Sequence, residues 1–353
     1  MTEKRYYKVG GHVFRVELEE PWHFKPLSPK EEEVAEKLRR GEDLGVIPVP
    51  ADKLEDLSLN KDITGKDSEK GDRYGLDFSQ YAPFEVPQEE ALFSFRVQYE
   101  RPQWLVDAEQ TRSWETVVRV DEVPPFYEGR VLDGRTIYEF YPAEGVSAGI
   151  FVLEEGFRSA TYYPREKMGP RVTMFQVNTC LMIAYTFATA PLQTLLLHSS
   201  MVRLDGRANL FFGVSGTGKS THARLWLEHV PGCDLMNDDN PVIRFAPDGT
   251  LIGYGSPWSG KTLCYRNVSA PVRALVRLEQ APENRITPLH ALDAYASVIA
   301  ASSTIRWSRT VMDNLVPTVE RVAMNVPCYQ LGCRPDAEAV EVCKEGISRL
   351  RSK

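Results

Sequence analysis

Residues 213–220, Gly-Val-Ser-Gly-Thr-Gly-Lys-Ser, match the phosphate-binding pattern G-x-x-x-x-G-K-[ST] at every fixed position. In such a loop the glycines let successive backbone N–H groups turn toward a β-phosphate, and Lys219 brings a positive charge to the β- and γ-phosphate oxygens. The hydroxyl of Ser220 is placed to hold Mg²⁺. The pattern therefore predicts a binding site for ATP and Mg²⁺. The predicted nucleotide contacts are Gly213, Ser215, Gly216, Thr217, Gly218, Lys219, Ser220 and Thr221.

Two adjacent acids, Asp238 and Asp239, lie within the short run of residues 235–243. Successive side chains of a strand point to opposite faces, so adjacent acids at its end can have different tasks. We predict that Asp238 is the general base for an acceptor hydroxyl and that Asp239 binds the metal, with the order of the two roles left open. An Asp-Asp pair often belongs to a turn, but the phosphate-binding pattern upstream favours the functional interpretation.

His198 closes the apolar run of residues 195–197, directly before the strands that lead to the phosphate-binding pattern. A single histidine is more often a satisfied core residue than a member of a site. His198, however, lies next to the strand that enters the phosphate-binding loop, which makes a role in the site more plausible than for an average histidine. We therefore count His198 as a candidate catalytic residue.

A second glycine-rich segment, residues 253–262, has the sequence Gly-Tyr-Gly-Ser-Pro-Trp-Ser-Gly-Lys-Thr. Its glycines and proline predict a loop. Trp258 would supply a flat apolar wall and Lys261 a cation, which together suit an anionic or planar ligand. We predict that these two side chains line the acceptor pocket. The alternative is that Pro257 and Trp258 close an edge of the core.

The residues around the phosphate-binding pattern predict the strand and the helix that this kind of loop requires. Residues 202–204 and 209–212, separated by a turn at Asp205-Gly206, predict a hairpin whose second strand enters the loop. Residues 221–230 predict a helix that ends at Pro231-Gly232. Such a helix would direct the positive end of its dipole at a bound phosphate.

The remaining sequence predicts an α/β fold, of mixed α+β type, in two domains. Residues 1–165 predict a β-rich N-terminal domain, with a hairpin at Gly10-Gly11 and short alternating runs between residues 91 and 163 that indicate an antiparallel sheet. A charged segment near residues 52–77 predicts a mobile connection or excursion. Residues 166–353 predict the domain with the phosphate-binding loop, and residues 171–189 predict a buried helix that leads into it.

The composition limits the kinds of binding partner and the cellular location that we expect for this protein. The chain has 353 residues and a formal net charge of −7, so it lacks the basic character expected of a nucleic-acid-binding protein. No apolar run approaches the roughly 20 residues of a membrane span, and the first residues are polar instead of forming a signal core. We expect a cytoplasmic protein without membrane or nucleic-acid partners. Its oligomeric state is left open, with a homo-oligomer among the options.

Three motifs stand in the same order as in the kinase domain of HPr kinase/phosphorylase: Leu-His-Ser-Ser at residues 197–200, the phosphate-binding loop, and Asn-Asp-Asp at residues 237–239. The loop is also similar to that of phosphoenolpyruvate carboxykinase. The chain thus resembles an HPr-kinase-related protein with a carboxykinase-like P-loop core, over about residues 190–345. The resemblance implies phosphate and metal contacts for Lys219 and Ser220, a histidine near the phosphates at His198, an acid/base at Asp238 and a metal-side carboxylate at Asp239.

The sequence departs from HPr kinase at residues 255–261, where Gly-Ser-Pro-Trp-Ser-Gly-Lys replaces an arginine-glycine signature. The acceptor is therefore not expected to be HPr. Together, the residues and the resemblance predict an ATP- and Mg²⁺-dependent phosphotransferase that moves the γ-phosphoryl group to a hydroxyl of a small molecule or of a protein serine. The alternatives are a nucleotide-binding regulatory protein without catalysis and an enzyme of the carboxykinase type.

Overall fold

The computed structural model describes residues 2–40, 42, 72–120, 126–143, 145–165, 168–260, 262, 264–304 and 307–349. Contacts within the chain divide it into two compact units: Met1–Arg39 with Pro50–Ala188, and Arg40–Val49 with Thr189–Lys353. The main boundary therefore follows residue 188, whereas the sequence predicts a boundary after residue 165. Of the excursion predicted near residues 52–77, residues 52–71 lie outside the described parts of the chain.

In the described part of the first unit the strands are β1 (Thr2–Val9), β2 (His12–Glu19), β3 (His23–Phe24), β4 (Gly75–Leu76), β5 (Glu85–Val86), β6 (Phe93–Val97), β7 (Glu115–Val120), β8 (Phe126–Leu132), β9 (Arg135–Tyr141), β10 (Gly149–Leu153) and β11 (Ser159–Pro164). The helices there are α1 (Pro29–Arg39), α2 (Gln103–Thr111) and α3 (Pro170–Thr189), with 3₁₀ turns at Ser79–Phe84 and Glu155–Phe157. Nine of these strands form one sheet in the order β5-β1-β2-β6-β11-β10-β9-β8-β7, and β3 pairs with β4.

The large sheet of the first unit is mixed: strands β7 to β11 pair antiparallel, as the sequence predicts for residues 91–163, but β6 does not. β1 and β2 form the predicted hairpin, with Gly10 and Gly11 at φ of 56° and 82° in its turn. Strand β6, however, lies between β2 and β11 and runs parallel to both. Parallel neighbours need a long crossover connection. The chain between β2 and β6, which includes α1, is long enough to provide one.

Helix α3 packs with this sheet through an apolar face. Val177, Leu181 and Tyr185 are fully buried. The ring of Tyr185 lies edge-on to Phe14 of β2, with centroids 6.2 Å apart, and its hydroxyl donates a 2.9 Å hydrogen bond to the carbonyl of Val9. The helix predicted over residues 171–189 is therefore present, and its contacts place it in the first unit.

In the described part of the second unit the strands are β12 (Thr194–Leu196), β13 (Ser199–Leu204), β14 (Arg207–Phe212), β15 (Asp234–Asp239), β16 (Val242–Phe245), β17 (Leu251–Tyr254), β18 (Ser269–Gln280), β19 (Arg285–Pro288) and β20 (Cys328–Cys333). The helices there are α4 (Lys219–His229), α5 (Ala291–Ala301), α6 (Arg309–Asn325) and α7 (Ala337–Arg349), with a 3₁₀ turn at Ala190–Leu192. The sheet has the order β12-β16-β17-β18-β14-β13-β15, and β20 pairs with both β18 and β19.

Strands β14 and β15 end at the same edge of this second sheet. β13 lies between them and is antiparallel to both, so β14 and β15 run in the same direction. The β13–β14 hairpin has the predicted turn, with Asp205 and Gly206 at φ of 50° and 69°. The phosphate-binding loop follows β14 and the acidic pair ends β15. The topology therefore brings both to one edge.

Helices cover both faces of the second sheet. Along β14, Leu210 and Phe212 belong to a core cluster that includes residues of α5 and α6, whereas Phe211 belongs to a cluster with residues of α4 and α7. Successive side chains of a strand point to opposite faces, and a strand covered on both sides is apolar throughout. The protein is therefore of mixed α/β class. In the described parts of the chain, no helix has both the length and the apolar character needed to cross a membrane.

Candidate active site

The start of β13 lies between the strand that enters the phosphate-binding loop and the strand that carries the acids. Ser199 is opposite Phe212 of β14 on one side and opposite Asp239 of β15 on the other. Adjacent strands lie about 4.8 Å apart. The loop, the acidic pair and His198, which directly precedes Ser199, therefore meet at this edge of the sheet.

The phosphate-binding loop connects β14 to α4, as the sequence predicts. Gly216 and Gly218 have φ of 85° and 97°, a region in which residues with a side chain are strained. The hydroxyl of Thr217 donates a 2.8 Å hydrogen bond to the carbonyl of Val214 and so holds the turn. Because α4 begins at Lys219, its unpaired N–H groups and positive dipole end lie at the loop. Of the predicted contact residues, Ser215, Gly216 and Ser220 are exposed, and Gly213, Thr217, Gly218, Lys219 and Thr221 are half-buried.

Lys219 is electrostatically coupled to both acids. Its ammonium group donates a 3.2 Å hydrogen bond to the carbonyl of Gly213. Burial lowers the pKa of Lys219, while the negative charges of Asp239 and Asp238 act in the opposite direction. The structure thus brings together the three charged residues that the sequence selects.

Asp238 is a buried carboxylate with one unused oxygen. It is 2% exposed, and its Oδ1 accepts a 2.5 Å hydrogen bond from the hydroxyl of Ser200, the residue opposite it in β13. Its Oδ2 is buried and has no hydrogen-bond partner among the described residues. Since buried polar atoms are almost always hydrogen-bonded, this unpartnered oxygen marks a place where a ligand or a water would complete the hydrogen bonding.

A β-bulge in β15 turns Asp238 toward an open cavity. The register shifts between Met201 and Val202 of β13, so that one residue of β15, Met236, has no partner of its own. The extra residue interrupts the alternation of side chains, and Leu235 and Asp238 line the same cavity of about 270 Å³. The rest of the lining includes Ser220, Thr221, Ala223, Arg224, Leu227 and Thr262.

Asp239 has an unusual backbone conformation, with φ at 147°. Residues with a side chain rarely adopt this region, and such strain costs about 1–3 kcal/mol. Both carboxylate oxygens are held: His198 Nδ1 lies 2.9 Å from Oδ1, and Asn240 Nδ2 donates a 2.7 Å hydrogen bond to Oδ2. The hydroxyl of Ser303 donates a 2.5 Å hydrogen bond to Asn240 Oδ1. These contacts fix the orientation of the second acid, and strain of this kind is typical of functional sites.

The second glycine-rich segment packs against the acidic pair through its backbone. Asn237 Nδ2 donates hydrogen bonds to the carbonyls of Ser256, at 3.2 Å, and of Trp258, at 3.4 Å. The N–H of Gly260 donates a hydrogen bond to the Asp238 carbonyl at 2.5 Å. A Cβ at Gly260 would lie 3.2 Å from that same oxygen, so the close approach favours glycine. The segment therefore braces the backbone of the two acids.

The structure gives Trp258 a different position from the one predicted. Trp258 is 2% exposed and is not among the residues that line the cavity beside Asp238. A large aromatic side chain gains most from burial in the interior, which agrees with the alternative that Trp258 closes an edge of the core. It does not form an open apolar wall for an acceptor. Lys261, the other residue predicted for the acceptor pocket, lies outside the described residues.

Ser200, Arg224 and Thr262 belong to this site but have no role predicted from the sequence. Arg224 follows Ser220 by one helical turn, and this spacing, which places two side chains on one face of a helix, could have indicated it. The contact of Ser200 with Asp238 depends on the order of the strands, which the residues themselves do not indicate. Thr262 lines the cavity and is the last residue of the second glycine-rich segment, which the sequence predicts as a loop.

Replacing Ser200 by Ala is expected to lower the free energy of unfolding, because the Oδ1 oxygen of Asp238 loses its donor in a buried position. Hydrogen bonds to charged groups contribute about 1.5–3 kcal/mol, and urea titration should show a loss of that size. Ser199→Ala is the matched control, since among the described residues the Ser199 hydroxyl makes only a 3.4 Å contact, to the Leu197 carbonyl. Equal losses in the two variants would contradict the expectation.

His222 supports the helix behind the loop from inside the core. It is 3% exposed, and Trp226 Nε1 donates a 3.1 Å hydrogen bond to its Nε2. The Phe211 ring lies edge-on to the imidazole with centroids 4.7 Å apart. Burial lowers the pKa of His222 to about 4, from an ordinary value of 6.5. The folded protein therefore keeps this imidazole neutral at a pH where the unfolded chain protonates it.

This difference makes stability depend on pH in a defined window. Between pH 6.5 and about 4 the unfolded chain binds a proton at His222 that the folded chain does not, so the free energy of unfolding falls as the pH falls. When the pH falls from about 7.5 to about 5, His222 alone should lower the free energy of unfolding by about 2 kcal/mol. His222→Gln, which can still accept a hydrogen bond from Trp226, should lose this part of the pH dependence. Urea titrations at both pH values measure the free energy of unfolding of the two proteins. An unchanged pH dependence in the variant would contradict the role of His222.

Part of the chain is similar to a known protein family. Residues 165–334, somewhat less than half of the chain, match the family model of the SynChlorMet cassette protein ScmC. No curated protein matches the chain at a significant level. The phosphate-binding loop, the acidic pair and His198 all lie within the residues that are similar to ScmC.

Proposed function

We propose that this protein is an ATP- and Mg²⁺-dependent phosphotransferase with an HPr-kinase-related, carboxykinase-like P-loop core. It moves the γ-phosphoryl group of ATP to a hydroxyl of an acceptor. The observation that carries the proposal is the buried Oδ2 of Asp238, which has no partner among the described residues and belongs to a side chain lining the same cavity as Ser220 and Thr221. A regulatory protein that only binds nucleotide does not need a carboxylate oxygen that can take a proton from an acceptor.

The phosphate-binding loop would hold the nucleotide. Its backbone N–H groups and the first turn of α4 supply donors, and Lys219 supplies charge. In the described structure the Lys219 ammonium is bonded to the Gly213 carbonyl at 3.2 Å. Phosphate oxygens are stronger acceptors than a neutral carbonyl, so the lysine would turn from the loop to the nucleotide when ATP binds.

Ser220 and Asp239 would hold Mg²⁺. The described residues contain no group of three or more His, Cys, Asp or Glu side chains that could hold a metal by themselves. Mg²⁺ at nucleotide sites is usually held by one or two protein oxygens together with the phosphates, which fits a hydroxyl and a carboxylate. Each Asp239 oxygen keeps a lone pair after its contact with His198 or Asn240. Bound there, the metal would neutralise charge on the β- and γ-phosphates.

Asp238 would act as the general base. Its Oδ2 accepts the proton of the acceptor hydroxyl while the acceptor oxygen forms a bond to the γ-phosphorus. The bond between the γ-phosphorus and the oxygen that bridges to the β-phosphate breaks, and ADP leaves with that electron pair. Ser200, through its 2.5 Å hydrogen bond to Oδ1, keeps the free oxygen of Asp238 in place.

Transfer of label from ATP tests this proposal. The protein is incubated with γ-labelled ATP, Mg²⁺ and a fractionated cell extract, and the labelled product is identified. Label on a metabolite or a protein, lost in Asp238→Asn, is the expected result. Nucleotide binding without any labelled product would favour the regulatory alternative. Nucleotide turnover that depends on oxaloacetate would favour the carboxykinase alternative.

A further inference from the structure

Residues of helix α4 and of strand β15 line the cavity beside Asp238. Ser220, Arg224 and Leu227 lie one helical turn apart along one face of α4. Leu235 and Asp238 of β15 form part of the lining as well. Asp238 therefore shares the cavity with a basic side chain, and apolar side chains contribute to the same lining.

Arg224 has the properties of an anion-binding residue. Its side chain is 67% exposed, and its ion-pair partner among the described residues is Glu228, with 3.9 Å between Nη1 and Oε1, at the limit of an ion pair. Exposed pairs of this kind contribute little, so the guanidinium can exchange Glu228 for a ligand at small cost. Among the described residues that line the cavity, Arg224 and Asp238 are the charged ones. A guanidinium binds a carboxylate or a phosphate through two parallel hydrogen bonds.

We propose that the acceptor is a small hydroxy acid: a compact molecule whose hydroxyl meets Asp238 and whose carboxylate or phosphate group binds Arg224. This inference rests on the proposed phosphotransferase function. The volume of about 270 Å³ lies just below the range of about 300–1,000 Å³ of pockets for drug-sized ligands, which suits a compact molecule. The apolar side chains of Leu227 and Leu235 suit the short hydrocarbon segment between the two polar ends.

Matched acceptor pairs test the charge requirement. Each pair consists of a hydroxy acid and its uncharged counterpart: glycerate and its methyl ester, and glycerol phosphate and glycerol. Initial rates of label transfer from ATP are measured for each compound. We expect kcat/KM to be at least about tenfold higher for the charged member, since a charge-assisted hydrogen bond is worth that much or more. The carboxylate and phosphate pairs then show which anion is preferred.

Variants at Arg224 distinguish a role in binding the acceptor from a role in binding the nucleotide. Arg224→Gln should raise the KM of the hydroxy acid by about tenfold and leave the rate with the uncharged counterpart and the affinity for Mg-ATP unchanged. Arg224→Lys should restore part of the loss. Arg309→Gln is the matched control, because Arg309 is also an exposed helical arginine with an i,i+4 acid, at 3.7 Å from Asp313. It should change none of these values.

The outcomes distinguish this inference from the function on which it rests. Transfer to uncharged alcohols at equal rates, or to a protein serine alone, would overturn the inference and leave the phosphotransferase intact. Weaker Mg-ATP binding in Arg224→Gln would also overturn it, because Arg224 would then contact the nucleotide. Calorimetry with a non-hydrolysable ATP analogue measures binding of the hydroxy acid without turnover. Binding that depends on Arg224 but leads to no transfer would support the acceptor site and contradict the proposed function.

Discussion

Asp238→Asn is expected to lower the rate of phosphoryl transfer by about 10²–10⁴-fold, the usual loss when a general base is removed. The asparagine keeps the shape of the side chain, and its carbonyl oxygen can still accept the hydrogen bond from Ser200. The atom at the position of Oδ2, however, becomes an N–H donor that cannot take a proton. Affinity for Mg-ATP should stay the same or rise slightly, because a negative charge near the phosphates is removed.

A turnover assay and a calorimetric titration on the same Asp238→Asn protein measure both effects. Asp313→Asn is the control for the loss of one acidic charge, because its side chain is 70% exposed and lies on α6. Full turnover with asparagine at position 238 would exclude the base. Loss of nucleotide binding instead would make Asp238 a metal ligand and would exchange the roles of Asp238 and Asp239.

Lys219→Ala is expected to remove between about half and nearly all of the stabilisation that Mg-ATP gives to the folded protein. A charge-assisted hydrogen bond to a phosphate is worth about 1.5–3 kcal/mol, so affinity should fall by about 10- to 100-fold. At a nucleotide concentration of about 100 times the original Kd, ligand binding adds about 2.7 kcal/mol to the free energy of unfolding. A 100-fold weaker variant would keep about 0.4 kcal/mol of this.

Thermal unfolding of the Lys219→Ala protein with and without Mg-ATP measures this loss. The variant itself should fold, since alanine favours helix formation and the lost bond to the carbonyl of Gly213 can be replaced by water at a half-buried position. Lys344→Ala, which changes a lysine of α7, is the control and should keep the full shift in Tm. An unchanged shift in Lys219→Ala would contradict a P-loop role for residues 213–220.

The sequence by itself determined the local parts of this protein. The turn at Asp205-Gly206 and the glycine conformations at Gly216 and Gly218 depend on neighbours in the chain. The helix predicted from residue 221 is also present, although it begins two residues earlier, at Lys219. A residue pattern can carry such information because the backbone geometry of a turn or a helix end restricts which residue types fit. The helix over residues 171–189 follows in the same way from its periodicity.

The pairing of distant strands was decided only by the tertiary structure. The alternating runs of the first unit predict strands but not their neighbours, and β6 lies parallel between β2 and β11. The same holds for Trp258, whose burial depends on the segments that pack around it and not on the glycines beside it in the chain. These features arise from contacts between residues that are far apart in sequence.

The direction in which Asp238 points is also a tertiary property. In a regular strand Leu235 and Asp238 would point to opposite faces, yet they line one cavity because the bulge at Met236 shifts the register of β15 against β13. A shift of one residue in pairing reverses the face of every side chain beyond it. That shift and the hydrogen bond from Ser200 both depend on the pairing of β15 with β13. The residues next to the acids therefore do not indicate the face on which each acid acts.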